Sequence, residues 1–361
     1  MHYVLESDRS DLHNTRLLKQ PSLDAISLAE GQVLLQVERY ALTSNTITYG
    51  VVGDLLGYWQ FFPAEGNWGR IPAWGIAEVI AGAADGIHPG DRFYGYFPIS
   101  DRLVVEPTAV SNNGFVDGQA HRQPLPPIYN RYLRITAENG FGPGQDDLQI
   151  VLRPLFLTSF AIDTFLAAHR WFDAKRIVVV SASSKTALSL AFCLQQAQRP
   201  VEVVGLTAPS NKAFVEGTGL YQTVVDYSAL HTLGAEKATV IVDMAGDPQL
   251  NGQLRHYLAD DLKYVCGVGL THWDAQADTS TTVQPGPEAV MFFAPTEIDR
   301  LIADWGAAGF AARTEERWAG LCTAASAWLQ FEHLPADGAL QARYLEVLNG
   351  LSPAIARVIV N

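Results

Sequence analysis

Between residues 151 and about 305, short runs of β-branched apolar residues alternate with stretches whose apolar positions recur every three or four residues. Ile177 to Val180 contains no polar position, the pattern of a strand covered on both faces of a parallel sheet. Similar runs follow at Val201 to Leu206, Thr223 to Tyr227, Thr239 to Met244, Tyr264 to Gly269 and Ala289 to Phe293. Helical spacing fills the intervals between the first five, 270–287 reads as loop, and Leu152 to His169 reads as a helix entering the first strand. The predicted class is therefore α/β, a doubly wound parallel sheet of order 3-2-1-4-5-6 with ligand at the carboxyl ends of its strands.

The first 150 residues have a different rhythm. Gly31 to Tyr40 reads as a strand with Val33, Leu35 and Val37 on one face. Trp74 to Ile80, Arg92 to Phe97 and Arg102 to Val105 are further short strands, punctuated by turns such as the one at His88 to Asp91. This predicts a small β-barrel. Aromatic clusters at Tyr58 to Phe62 and Phe93 to Phe97 read as barrel core or as the lining of an apolar pocket. Asn112-Asn113-Gly114 is a turn, 123–132 a proline-stiffened loop carrying Tyr129, Asn130 and Tyr132, and 139–147 a hinge. Beyond Pro295 the spacing is helical. Ile298, Leu301, Ile302 and Trp305 share one face, and Trp318, Leu321, Cys322, Ala325 and Leu329 another. A helix around Leu340 to Leu348 and a strand over Ala354 to Val360 close the chain.

Composition narrows the function classes. A length of 361 residues suits two cores, and a net charge of −13 argues against a nucleic-acid or anionic-membrane partner. There is no run of eighteen apolar residues, and the first ten residues lack the apolar core of a signal peptide. Cys193, Cys266 and Cys322 lie far apart in apolar sequence and read as buried thiols, so the expectation is a cytoplasmic protein without disulfides.

The loop after the first strand of the parallel sheet carries the candidate chemistry. Strand, tight turn and helix aim backbone N–H groups and the positive end of a helix dipole at an anion, usually a dinucleotide pyrophosphate. Ser181, Ser183, Ser184 and Thr186 offer hydroxyls there and Lys185 a charge. The competing readings are a turn that has lost its ligand, or a P-loop whose two defining glycines would fall at Val179 and Ser184. The second strand ends without the acid that holds the ribose of NAD; Thr207, Ser210, Asn211 and Lys212 would instead surround a 2′-phosphate, so NADP(H) is the expected cofactor. Lys212 as a solvated helix residue is the plainer alternative.

Four segments in order, Gly31 to Val37, Ala41 to Gly50, Pro72 to Ile80 and Pro89 to Gly95, resemble the GroES-like domain of medium-chain dehydrogenases/reductases, nearest the zinc-free branch of quinone oxidoreductases and enoyl reductases. The resemblance implies a GroES-like domain at 1–150, a Rossmann NADP-binding domain at 151–305, and a segment at 306–361 returning to the first domain. It places Lys212 and Tyr227 at the 2′-phosphate, Gly246 beneath the adenosine ribose, and Gly269, Thr271 and His272 beside the nicotinamide. Where the superfamily's turn has glycines, this chain has Ser184, Lys185 and Ala187. Trp74 stands where zinc-dependent members place a histidine, and no cysteine precedes Cys193, so no metal is expected. The same resemblance implies hydride transfer to an apolar enone, quinone, enoyl thioester or ketone. Tyr49 would be the proton donor, Asn45 its orienter, and Tyr129 and His272 reserves. A small apolar carbonyl compound is the expected partner and a homodimer the expected assembly. A non-catalytic NADPH-binding relative of the same fold is the alternative.

Overall fold

The computed structural model describes residues 2–19, 22, 25–234, 237–269 and 285–361. The chain begins with strands β1 (Tyr3–Asp8), β2 (Asp11–Lys19) and β3 (Val33–Leu42), then helix α1 (Ser44–Val51). Strands β4 (Trp68–Gly69), β5 (Pro72–Gly82), β6 (Arg92–Pro98) and β7 (Arg102–Val105) follow. The hairpin β8 (Pro107–Ser111) and β9 (Gly114–Asp117) and strand β10 (Arg131–Arg134) precede the long helix α2 (Asp146–Ala168). Next come β11 (Arg176–Val180), α3 (Lys185–Gln196), β12 (Glu202–Thr207), α4 (Lys212–Gly217), β13 (Thr223–Asp226) and β14 (Thr239–Asp243). The chain continues through α5 (Pro248–Leu258), β15 (Leu262–Gly267), β16 (Ala289–Met291) and α6 (Ala294–Ala325). It ends with β17 (Gln330–Pro335), α7 (Leu340–Leu348) and β18 (Ile355–Val360).

Two compact units divide the chain, Met1–Val151 with Gln330–Asn361, and Leu152–Leu329. In the first, a nine-stranded sheet runs β17-β18-β3-β5-β6-β10-β9-β8, with β7 also paired to β3. Sequence reading expects the return at 306, whereas the chain rejoins this unit at Gln330. The reason is α6, whose Trp318 ring packs 5.5 Å from Phe156 of α2 and whose Phe310 packs 6.1 Å from Phe160. Gly306, at φ 71°, breaks the helical path inside α6, which explains why the apolar positions before and after it fall on different faces. Helix α2 is long and apolar enough by length to cross a membrane, but 61% of its apolar window is buried inside the protein, as befits a core helix carrying Pro154.

The second unit is a six-stranded parallel sheet of order β13-β12-β11-β14-β15-β16, the 3-2-1-4-5-6 order expected from the apolar runs. All five residues of β11 are buried, and Val178 and Val180 share one core with Val204, Leu206, Ile241 and Val265. A strand with both faces covered has no room for polar alternation, which is why its sequence shows none.

Candidate functional site

In the second unit the order of strands reverses between β11 and β12 on one side and β14 on the other, and the loops at their carboxyl ends hold most of the candidate residues. Ser181 sits at φ +57°, the left-handed region that β-carbon-bearing residues seldom enter. The Ser184 N–H donates to the Ser181 carbonyl at 2.8 Å, and the Ser184 hydroxyl oxygen caps α3 by accepting from the Ala187 N–H at 3.3 Å. Ala182 is seated on the next strand: its N–H donates to the Leu206 carbonyl at 3.0 Å and its carbonyl accepts from the Tyr221 hydroxyl at 3.0 Å. Gly205 allows this approach, because a β-carbon there would lie 3.0 Å from the Ala182 side chain and 2.9 Å from the Tyr221 ring. The first turn of α3 follows directly, and the first N–H groups of a helix have no carbonyl acceptor within it. Lys185 opens that turn, and desolvation lowers its ammonium to about 8. The carbonyl of Thr186 accepts from Ser159 of α2.

Beside this turn lie the residues expected around the adenosine. The Asn211 amide donates to the Ser183 hydroxyl at 3.1 Å, and Ser210 is exposed in the turn that precedes α4. Lys212 pairs with Asp226 at 3.6 Å. Ser181 hydrogen-bonds to the Tyr227 hydroxyl through both backbone and side chain, and burial pushes that phenol up to about 12. Asp243, at the end of β14, accepts from the N–H groups of Ala245 (2.8 Å) and Gly246 (3.1 Å) and from the Asn251 amide (2.6 Å). Its carbonyl accepts from Val268 and Gly269, so one residue fixes the loops after β14 and β15. Thr271 and His272 lie outside the described residues.

Among the described residues, two buried polar atoms at this end of the sheet have no hydrogen-bond partner, Thr207 Oγ1 and Asn251 Oδ1. Orphaned buried groups are costly unless a ligand completes them. Together with the Lys212 ammonium and the N-terminus of α3, they fit the adenosine half of a dinucleotide. The pyrophosphate turn fits with a different donor set from the glycine-rich one, since Ser181 is already engaged by Tyr227.

In the first unit the structure brings together Asn45, Tyr49 and Tyr129. Tyr49 projects from α1, and its oxygen accepts from the Trp74 indole N–H at 2.9 Å and from the Asn45 amide at 3.0 Å. Its ring lies 4.7 Å from Tyr58 and 5.2 Å from Tyr96, while Tyr58 and Tyr129 share a hydroxyl–hydroxyl bond of 3.0 Å. Tyr129 rides on a 3-10 turn, Pro127–Asn130, anchored by Arg122. The Arg122 guanidinium donates to Asp117 (2.9 Å), Asn130 Oδ1 (3.0 Å), the Tyr132 hydroxyl (3.0 Å) and the Tyr129 carbonyl (2.7 Å). Burial raises the Tyr49 phenol well above its ordinary range, against the opposing pull of the bonds from Trp74 and Asn45. A phenol so weakly acidic stays protonated and keeps its O–H available as a hydrogen-bond donor to a carbonyl oxygen. The bonds from Trp74 and Asn45 are both accepted by its oxygen, so neither uses the Tyr49 proton. Sequence reading missed Trp74 as the partner of Tyr49, because the two residues lie on different elements, β5 and α1.

No curated protein matches the sequence. Among solved structures, CurA from Vibrio vulnificus in complex with NADPH is similar over 100% of this chain and 98% of its own, with a TM-score of 0.63 and 12% identity. S. aureus TarJ in complex with NADPH is similar over 99% of this chain and 98% of its own, at TM-score 0.57 and 8% identity. The Haloferax mediterranei glucose dehydrogenase, in complex with NADP, Zn and gluconolactone, matches 99% of each chain at TM-score 0.56 and 12% identity. These likenesses establish the fold, a GroES-like domain with a Rossmann domain. With residues 40–352 matched, the chain belongs to the family described as protein of unknown function, DUF2855.

Proposed function

We propose that this chain is an NADP(H)-dependent oxidoreductase of the zinc-independent medium-chain type, reducing an apolar enone, quinone, enoyl thioester or ketone. The observation that carries the reading is the orphaned Thr207 hydroxyl at the carboxyl end of β12, whose register neighbour Asp226 pairs with Lys212. The NADPH bound to CurA and to TarJ and the NADP bound to the glucose dehydrogenase support the same cofactor.

NADPH, once bound, supplies a hydride. Lys212, Thr207 and Asn211 hold its adenosine end, and Lys185 with the first turn of α3 holds the pyrophosphate. Tyr49 donates a hydrogen bond to the substrate oxygen on which negative charge builds, while Trp74 and Asn45 fix the direction of that O–H. A cytoplasmic setting suits the three buried free thiols. A homodimer suits the edge strand β16, where Val290 and Met291 are exposed.

The first test is quenching of the eight tryptophans by NADPH. Micromolar binding that Lys212→Ala weakens tenfold or more supports the cofactor; absence of binding by either NADPH or NADH overturns it. A second reading is a non-catalytic NADPH-binding protein, favoured by Ser184 and Lys185 standing where the resembling reductases carry glycines. Binding without turnover on enones, quinones or aldehydes would select it.

A further inference from the structure

Resting on the nucleotide reading above, we infer that Asp226 sets the choice between NADPH and NADH, making the adenosine-ribose subsite accept both. The end of β12 lacks the acid that a ribose 2′-hydroxyl requires, as the sequence shows. The fold supplies one at the same level from the neighbouring strand. In the parallel register of β12 and β13, Thr207 lies directly beside Asp226. The unpartnered Thr207 hydroxyl and the Asp226 carboxylate thus end adjacent strands at the corner where the adenosine ribose is placed.

The Asp226 carboxylate is held in position from both sides. One oxygen accepts from the Ser228 N–H at 3.0 Å and the Ser228 hydroxyl at 2.5 Å. The other faces the Lys212 ammonium at 3.6 Å. The bonds from Ser228 and the charge of Lys212 keep the carboxyl below its ordinary range, so it is ionised at neutral pH.

That pairing has opposite consequences for the two nucleotides. A 2′-phosphate drawn to Lys212 must share the ammonium with a carboxylate and sit near a like charge, which weakens its hold. A 2′-hydroxyl meets no such repulsion and finds an acceptor in the same carboxylate. Lys212 favours NADPH, Asp226 favours NADH, and the net discrimination is small.

The test is titration of the full-length protein and two variants with NADPH and NADH, at low and moderate salt. The wild type is expected to bind the two nucleotides within about tenfold of each other. Asp226→Asn keeps an acceptor for Ser228 and removes the charge. It is expected to tighten NADPH about fivefold, the effect of one nearby charge in a solvated site, and to weaken NADH. Lys212→Met should shift the ratio the other way, and added salt should shrink the NADPH gain of Asp226→Asn. The inference fails if Asp226→Asn binds NADPH but leaves the NADPH-to-NADH ratio unchanged, or if the wild type already prefers NADPH a hundredfold or more. Either result leaves the cofactor reading standing. Failure of the wild type to bind either nucleotide removes both. Because each ratio is taken within one variant, partial loss of folded protein does not disturb it.

Discussion

Tyr49 concentrates the chemistry of the first unit because three side chains meet at one oxygen. Trp74 and Asn45 both donate to it. If the proton serves to bind the substrate oxygen, Tyr49→Phe should lower kcat tenfold or more while the NADPH dissociation constant stays within twofold. Unchanged turnover would remove Tyr49 from the mechanism. Lys185 allows a prediction with a definite sign. Its ammonium deprotonates at about 8 in the free protein, and a bound pyrophosphate favours the charged form. NADPH affinity should therefore be full at pH 7 and weaken by up to about tenfold on titration to pH 9.5, the loss of one charge-assisted hydrogen bond. Lys185→Met should bind weakly and show a flat pH profile over that range. A wild-type profile as flat as that of the variant would show that Lys185 takes no part in binding.

At the scale of elements, β11, β12 and β14 were legible because burial on both faces writes itself into local sequence, and all six runs became neighbours in the expected order. Elements with mixed faces were not legible. The β1–β2 hairpin places Asp11, Asn14 and Thr15 among its apolar residues, and β17 reads Gln-Phe-Glu-His-Leu-Pro with no buried position. The site was legible to the same degree. The turn after β11 and the end of β12 follow from strand order, whereas the Trp74–Tyr49, Tyr227–Ser181 and Lys212–Asp226 contacts join residues from different elements. No local pattern announces such a contact. The loop bearing Tyr129 is a further example, since its order depends on Arg122 and Asp117, each with a side chain only 1% exposed. Removing one partner of a buried, hydrogen-bonded pair strands the other charge. Arg122→Met should cost about 3 to 5 kcal/mol, read by denaturant unfolding. Adding Asp117→Asn should recover part of that loss. A single variant as stable as the wild type would mean that Asp117 finds water or a proton without cost.

At the scale of the whole molecule, the two units make unequal use of the chain terminus. The second unit is continuous in sequence, from Leu152 to Leu329, and among the described residues its six strands pair with one another. The first is completed from the far end of the chain. Strand β18 pairs with β3 through Arg357↔Leu42, Val358↔Ala41, Ile359↔Tyr40 and Val360↔Arg39, and β17 and α7 arrive with it. Buried Val358, Ile359, Leu340 and Tyr344 leave with these elements if the chain is cut. A protein ending at Leu329 would expose one edge of β3 and lose the apolar surface that those four side chains cover. Its first unit should no longer melt cooperatively, while the second should retain its own transition, since two cores need not unfold as one. The measurement is a calorimetric scan of the full-length and shortened chains, with NADPH titration of each. Retained NADPH binding with one transition lost would place the cofactor with the continuous unit and the structural debt with the interrupted one. An unaltered scan would show that the closing strands are dispensable. Loss of both transitions would show that the continuous unit depends on the interrupted one, so that the chain folds as a single cooperative body despite its two cores.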